Sequence, residues 1–106
     1  MIIIINILEE YYKKIEKAHI FGKELLADEG FIHASTEKQF PLIIPRLIKK
    51  GGKFMVLFID TEKLKSEIKW EYSSSLNQDF PHIYGEINMD AVIKIEKLNE
   101  YVKNNK

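Results

Sequence analysis

The sequence predicts a single α+β domain. With 106 residues the chain makes one core readily, whereas two would each be undersized. Its apolar patterning alternates between strand and helix periods only in the first half. The order β-α-β-α-β-β-β-β segregates helices from strands, and no Gly-x-Gly-x-x-Gly or Walker loop supports a doubly wound parallel sheet.

Ile2–Leu8 is nearly continuous β-branched sequence, which suits a strand covered on both faces. Helical spacing follows over Glu9–Ala18, with Tyr11, Tyr12, Ile15 and Ala18 on one side and Glu9, Lys13, Glu16 and Lys17 on the other. An irregular passage between Gly22 and Asp28-Glu29-Gly30 leads to a second strand, Phe31–Ser35, with Phe31, His33 and Ser35 on one face. Thr36 and Gln39 have capping-box spacing before the helical stripe Phe40, Ile43, Ile44, Leu47 and Ile48. Pro41 and Pro45 imply either a start near Phe40 with Pro41 in the first turn or a kinked first half, and Gly51-Gly52 ends the helix.

Phe54–Ile59 reads as a buried strand, followed by a short capped turn through Leu64. Ile68–Tyr72 alternates, which puts Trp70 on one face and Glu71 on the other. Ser73–Asp79 is polar enough to predict a mobile loop. His82–Glu86 is a brief extended segment, Asn88-Met89-Asp90 a turn, and Ala91–Leu98 the last strand. The domain is therefore expected over 1–98, with 99–106 a polar C-terminal tail that frays.

Composition excludes several function classes. Cysteine is absent, so thiolate zinc sites, iron–sulfur clusters, disulfides and Cys nucleophiles are out. The 16 basic and 16 acidic residues cancel, and no basic stripe interleaves the aromatics, so neither nucleic acid nor an anionic membrane is an expected partner. Met1–Leu8 has neither the positive leader of a signal peptide nor the length of a membrane span, and the expected setting is cytoplasmic.

Three stretches place polar residues beside aromatics: Gly30–Thr36, Trp70–Tyr72 and Phe80–Gly85. If those strands are neighbours, His33, Ser35, Glu71, His82 and Tyr84 share a surface able to supply an acid, a base and hydrogen-bond donors. Each also has a plainer role: the histidines as structural residues, Ser35 and Thr36 as helix caps, Glu71 as a solvated carboxylate. The His and Glu spacing matches no metal motif, and no Gly-x-Ser-x-Gly elbow activates a serine.

Gly30-Phe31-Ile32-His33-Ala34-Ser35-Thr36 with Gln39, then Trp70-Glu71, then Phe80-Pro81-His82-Ile83-Tyr84-Gly85 with Asp90-Ala91-Val92, together resemble the signature of domain of unknown function 952. That resemblance implies a fold similar to the ADP-ribosyltransferases: a bent, split mixed β-sheet with two or three short helices, gripping NAD in a central cleft. It further implies catalytic roles for Glu71, His33 and His82, with Glu71 stabilising a sugar cation, and a ligand-binding set of Asn6, Phe31, Ser35, Thr36, Gln39, Trp70 and Tyr84. Asn6 stands where relatives often carry His or Lys, and supplies no cation to a pyrophosphate. The implied ligand is small and nucleotide-like, with NAD as a candidate substrate; non-catalytic binding of a nucleotide or anion is the alternative.

Overall fold

A computed structural model describes residues 1–105; Lys106, the end of the expected tail, lies outside the described residues. Nine strands run β1 (Ile2–Leu8), β2 (Ile20–Phe21), β3 (Ile32–His33), β4 (Ser35–Thr36), β5 (Phe54–Asp60), β6 (Glu67–Ser73), β7 (Gln78–Tyr84), β8 (Ile87–Asn88) and β9 (Val92–Lys97). Three helices accompany them: α1 (Glu9–Ile15), α2 (Phe40–Lys50) and α3 (Leu98–Asn104). The chain is α+β, with the expected split sheet resolved into a four-stranded sheet β4-β1-β5-β9, a three-stranded sheet β3-β7-β6 and a short β2-β8 ladder. Every pairing described is antiparallel, so the sheets are not of the mixed kind expected: the chain reverses direction between each pair of neighbouring strands, and no parallel crossover joins them.

Alternation along β1 and β5 explains how three layers form. Ile3, Ile5, Ile7, Met55, Leu57 and Ile59 point to one side and pack with Ile15, Ile32, Ile83 and Ile87 in the larger core. Ile4, Phe54, Val56 and Phe58 point to the other and meet Phe40, Leu47 and Leu98 from the helices. The four-stranded sheet thus lies between α2 and α3 on one side and the three-stranded sheet with α1 on the other. Both faces of β1 and β5 are apolar for that reason.

Pro41 occupies the first turn of α2, where its missing N–H costs nothing, and Gly51 closes the helix at φ 78°. Thr36 and Gln39 form the expected reciprocal pair just ahead of it: Gln39 N–H donates to Thr36 Oγ1 at 3.0 Å and Thr36 N–H to Gln39 Oε1 at 3.1 Å. Gly22 adopts φ +110°, and a Cβ there would meet Ile32 Cδ1 at 2.9 Å. Only glycine joins β2 to the following turn without strain.

Four further expectations change. The segment read as one strand over Phe31–Ser35 splits at Ala34: β3 pairs with β7, while β4 pairs with β1, so the chain crosses from one sheet to the other. The polar stretch read as a mobile loop over Ser73–Asp79 is the tight end of a hairpin, because Asn77 tolerates φ 54° and its N–H donates to Ser73 O at 2.7 Å. The brief segment at His82–Glu86 is the end of a longer strand, β7, beginning at Gln78. The tail expected to fray is helix α3, with Leu98 buried and Tyr101 and Val102 packed against the second core. Tyr101 sits edge-on to Phe40, ring centroids 5.1 Å apart.

Candidate functional site

Register sets the outer face of the three-stranded sheet. Ile32 pairs with Ile83 and His33 with His82, while across the sheet Lys69 pairs with His82 and Glu71 with Phe80. Since successive side chains alternate, Ile32 and Ile83 enter the core and leave His33, His82, Tyr84, Lys69 and Glu71 on the opposite face. Pro81 lies in the central strand facing Ala34: its carbonyl accepts from Ala34 N–H at 3.1 Å, but it has no N–H for the return bond, and the β3 ladder ends at His33.

Glu71 is the hub of this face. Its Oε1 accepts from His82 Nδ1 at 2.8 Å and from the Tyr84 hydroxyl at 2.5 Å. These two bonds, Tyr84 first and then His82, hold the Glu71 carboxyl below the usual carboxylate range, and the same bond raises the Tyr84 phenol. An ionised carboxylate only accepts, so the proton of a neutral His82 ring sits on Nδ1 and the Nε2 lone pair is free. His82 Nε2 has no hydrogen-bond partner among the described residues, and no buried side-chain nitrogen or oxygen lacks one, so Nε2 keeps contact with solvent.

The ring is also held by packing. Phe31 stacks on His82 at 4.1 Å and 17°, and His33 meets it edge-on at 5.1 Å. Lys69 Nζ lies 4.6 Å over the Tyr84 ring. His82 is 14% exposed and Glu71 41%, whereas His33 is 66% exposed and pairs with Glu29 at 3.0 Å. A depression of about 420 Å³ opens beside them, lined by Phe31, His33, Phe80 and His82, by Arg46 from α2 and by the Ser73–Ser75 turn.

Five of the ten residues named from the sequence therefore meet: Phe31, His33, Glu71, His82 and Tyr84. The other five lie elsewhere. Ser35 is 2% exposed on β4, separated from His33 by the crossing at Ala34. Thr36 and Gln39 hold the entry to α2, and Gln39 Nε2 also donates to Asp79 O at 2.7 Å, which fastens α2 to β7. Asn6 pairs with Val56 and shares the helix-facing side of β1 with Ile4. Trp70 pairs with Pro81 on the face opposite Glu71, near the hairpin end where the core no longer covers it. The sequence reading missed Arg46 and Lys69. Lys69 shares the parity of Glu71; nothing local marks Arg46, which reaches the hairpin only through the packing of α2.

Among the described residues no three His, Asp or Glu side chains are arranged to hold a metal ion. No helix is long and apolar enough to cross a membrane among those residues.

Two solved structures share this fold. Protein CC0527 from Caulobacter crescentus superposes with a TM-score of 0.77 at 21% identity, covering 92% of this chain and 85% of that one. A double-mutant form of the same protein gives a TM-score of 0.76 at 20% identity, with the same coverage of 92% and 85%. No curated protein matches the sequence. Residues 7–95, from β1 to β9, match the family described as "protein of unknown function (DUF952)", and they include every residue of the Glu71–His82 face, so the chain belongs to the DUF952 family.

Proposed function

We propose that the outer face of the three-stranded sheet binds a small nucleotide-like molecule and that His82 Nε2 moves a proton to or from it. The observation that carries this reading is the Glu71–His82 pair at 2.8 Å, with Nδ1 engaged and Nε2 open to solvent. A carboxylate behind an imidazole fixes its tautomer, orients the ring and stabilises the imidazolium that forms on proton uptake. Tyr84 steadies the same carboxylate oxygen, Phe31 stacks under the imidazole, and His33 is a second proton carrier on the exposed side. The aromatic walls Phe31 and Phe80 suit a ring-bearing ligand, and the polar residues His33, His82, Arg46 and Ser73–Ser75 beside them are placed to orient it.

NAD and ADP-ribose are the first ligands to try, given the resemblance to ADP-ribosyltransferases. A cation-stabilising role for Glu71 in that chemistry has weaker support than an orienting one. Its Oε1 already accepts two hydrogen bonds, and Asn6 stands on the far side of the four-stranded sheet.

NMR titration of the full chain with NAD, ADP-ribose and AMP tests the reading. Shifts centred on His82, His33 and Phe31 are expected, abolished by His82→Ala while core signals stay in place. At about 100 times the dissociation constant, the same ligand raises stability by roughly 2.7 kcal/mol, a melting shift of about 10 °C or more. Millimolar additions of all three that leave His82 unmoved refute it.

A further inference from the structure

The depression beside His82 has one built-in feature that the proton-moving reading does not use. Arg46 on α2 reaches across to the hairpin end, where its Nη2 donates to Ser75 Oγ at 3.0 Å, and Ser75 Oγ lies 3.3 Å from Ser73 Oγ. Inside the turn Asn77 N–H donates to Ser73 O, and the amides of Ser74, Ser75 and Leu76 have no backbone acceptor among the described residues. Arg46, Ser73, Ser74, Ser75, His33 and His82 line one depression. The carboxylate in it is Glu29, already paired with His33 at 3.0 Å.

Hydroxyls, free turn amides and a guanidinium fork are the donor set that recognises a phosphate monoester. Among the described residues Arg46 is the only permanent cation lining the depression, so it decides the ligand's charge there. Building on the reading above and narrowing it to AMP-like ligands, since NAD and ADP-ribose carry a pyrophosphate and no monoester, we propose that the ligand carries a phosphate monoester held by Arg46 and the Ser73–Ser75 turn, with the rest of the molecule lying toward His82. The Arg46–Ser75 contact then has two states: a clasp between α2 and the hairpin when the site is empty, and a shared grip on phosphate oxygens when it is filled.

Calorimetric titration with inorganic phosphate, AMP, ribose 5-phosphate and adenosine, on wild type and on Arg46→Gln, tests the subsite. AMP and ribose 5-phosphate are expected to bind at least tenfold more tightly than adenosine, with inorganic phosphate competing against both. Arg46→Gln is expected to erase most of that ratio, and Arg46→Lys to recover part of it. A clasp with no ligand role would instead lower the melting temperature of Arg46→Gln and leave the AMP-to-adenosine ratio untouched. If Arg46→Gln disturbs the hairpin, Ser75→Ala keeps the cation and removes a hydroxyl, and a several-fold weakening of AMP is expected.

Equal affinities for AMP and adenosine, or no phosphate compound binding at all, overturn the proposal. The His82 signals keep the two readings apart. Adenosine and AMP shifting His82 alike leaves the proton-transfer site standing and removes the phosphate subsite.

Discussion

Tyr101→Ala measures whether α3 is part of the domain. Tyr101 lies edge-on to Phe40 at 5.1 Å and 74°, and tilted to Phe58 at 6.1 Å and 43°. Phe40 is fully buried and Phe58 nearly so, so removing the ring opens the second core at the point where α3 closes it. Deleting a fully buried aromatic costs about 3–5 kcal/mol, and a half-buried one roughly half of that, so about 2 kcal/mol is expected here. For a domain of this size that is a melting-temperature drop of about 8–16 °C. Tyr101→Phe should lie within ~0.5 kcal/mol of wild type, because the hydroxyl has no hydrogen-bond partner among the described residues. Urea unfolding of the three proteins, read by circular dichroism, gives the comparison. If Tyr101→Ala unfolds at the wild-type midpoint, the segment beyond Leu98 frays and its docking against Phe40 is wrong.

Other perturbations follow from the same contacts. Gly22→Ala forces a side chain into φ +110° and against Ile32 Cδ1, so a loss of about 1–3 kcal/mol is expected in denaturant unfolding; a change below ~0.5 kcal/mol would contradict the turn geometry. Tyr11 is partly buried and donates to Glu24, and together these push its phenol up to about 12, burial first. Its folded pKa lies above the unfolded value of ~10, so the stability it contributes is complete below ~10 and is lost as pH rises through about 12; Tyr11→Phe should flatten that alkaline decline. Glu71 behaves oppositely: its folded pKa is depressed, so its contribution is present above the ordinary carboxylate pKa and is lost as pH falls through the lowered one. Acid titration followed by NMR should show the Glu71 carboxyl protonating below the ordinary glutamate range, and a Glu71 that titrates within that range would contradict the hydrogen bonds drawn to it.

The legible parts of this fold are those fixed by local pattern. β1 and β5 announce burial on both faces through unbroken apolar runs, and α2 is bounded by the Thr36–Gln39 pair and Gly51. The Glu71 face was half visible. Residue types pointed to His33, His82, Glu71 and Tyr84, but which of them share a face depends on the register between β6 and β7, a long-range choice that alternation along one strand does not contain. Ser35 falls under the same limit: parity groups it with His33, and the turn at Ala34 parts them. Trp70 is different, since alternation alone puts it on the face opposite Glu71, and its place in the ligand set comes from the family resemblance and not from the pattern. α3 is not legible in the sequence because so short a helix, seven residues near a terminus, gains its stability from Leu98, Tyr101 and Val102 meeting a core built by distant strands.

Whether Glu71 orients His82 for proton transfer is decided by the tautomer of the His82 ring. Long-range nitrogen–proton NMR distinguishes the two imidazole nitrogens in the neutral ring. The proton is expected on Nδ1, with Nε2 unprotonated in the wild type and that preference lost in Glu71→Ala. A wild-type ring protonated on Nε2, or one whose tautomer ignores Glu71→Ala, would contradict it.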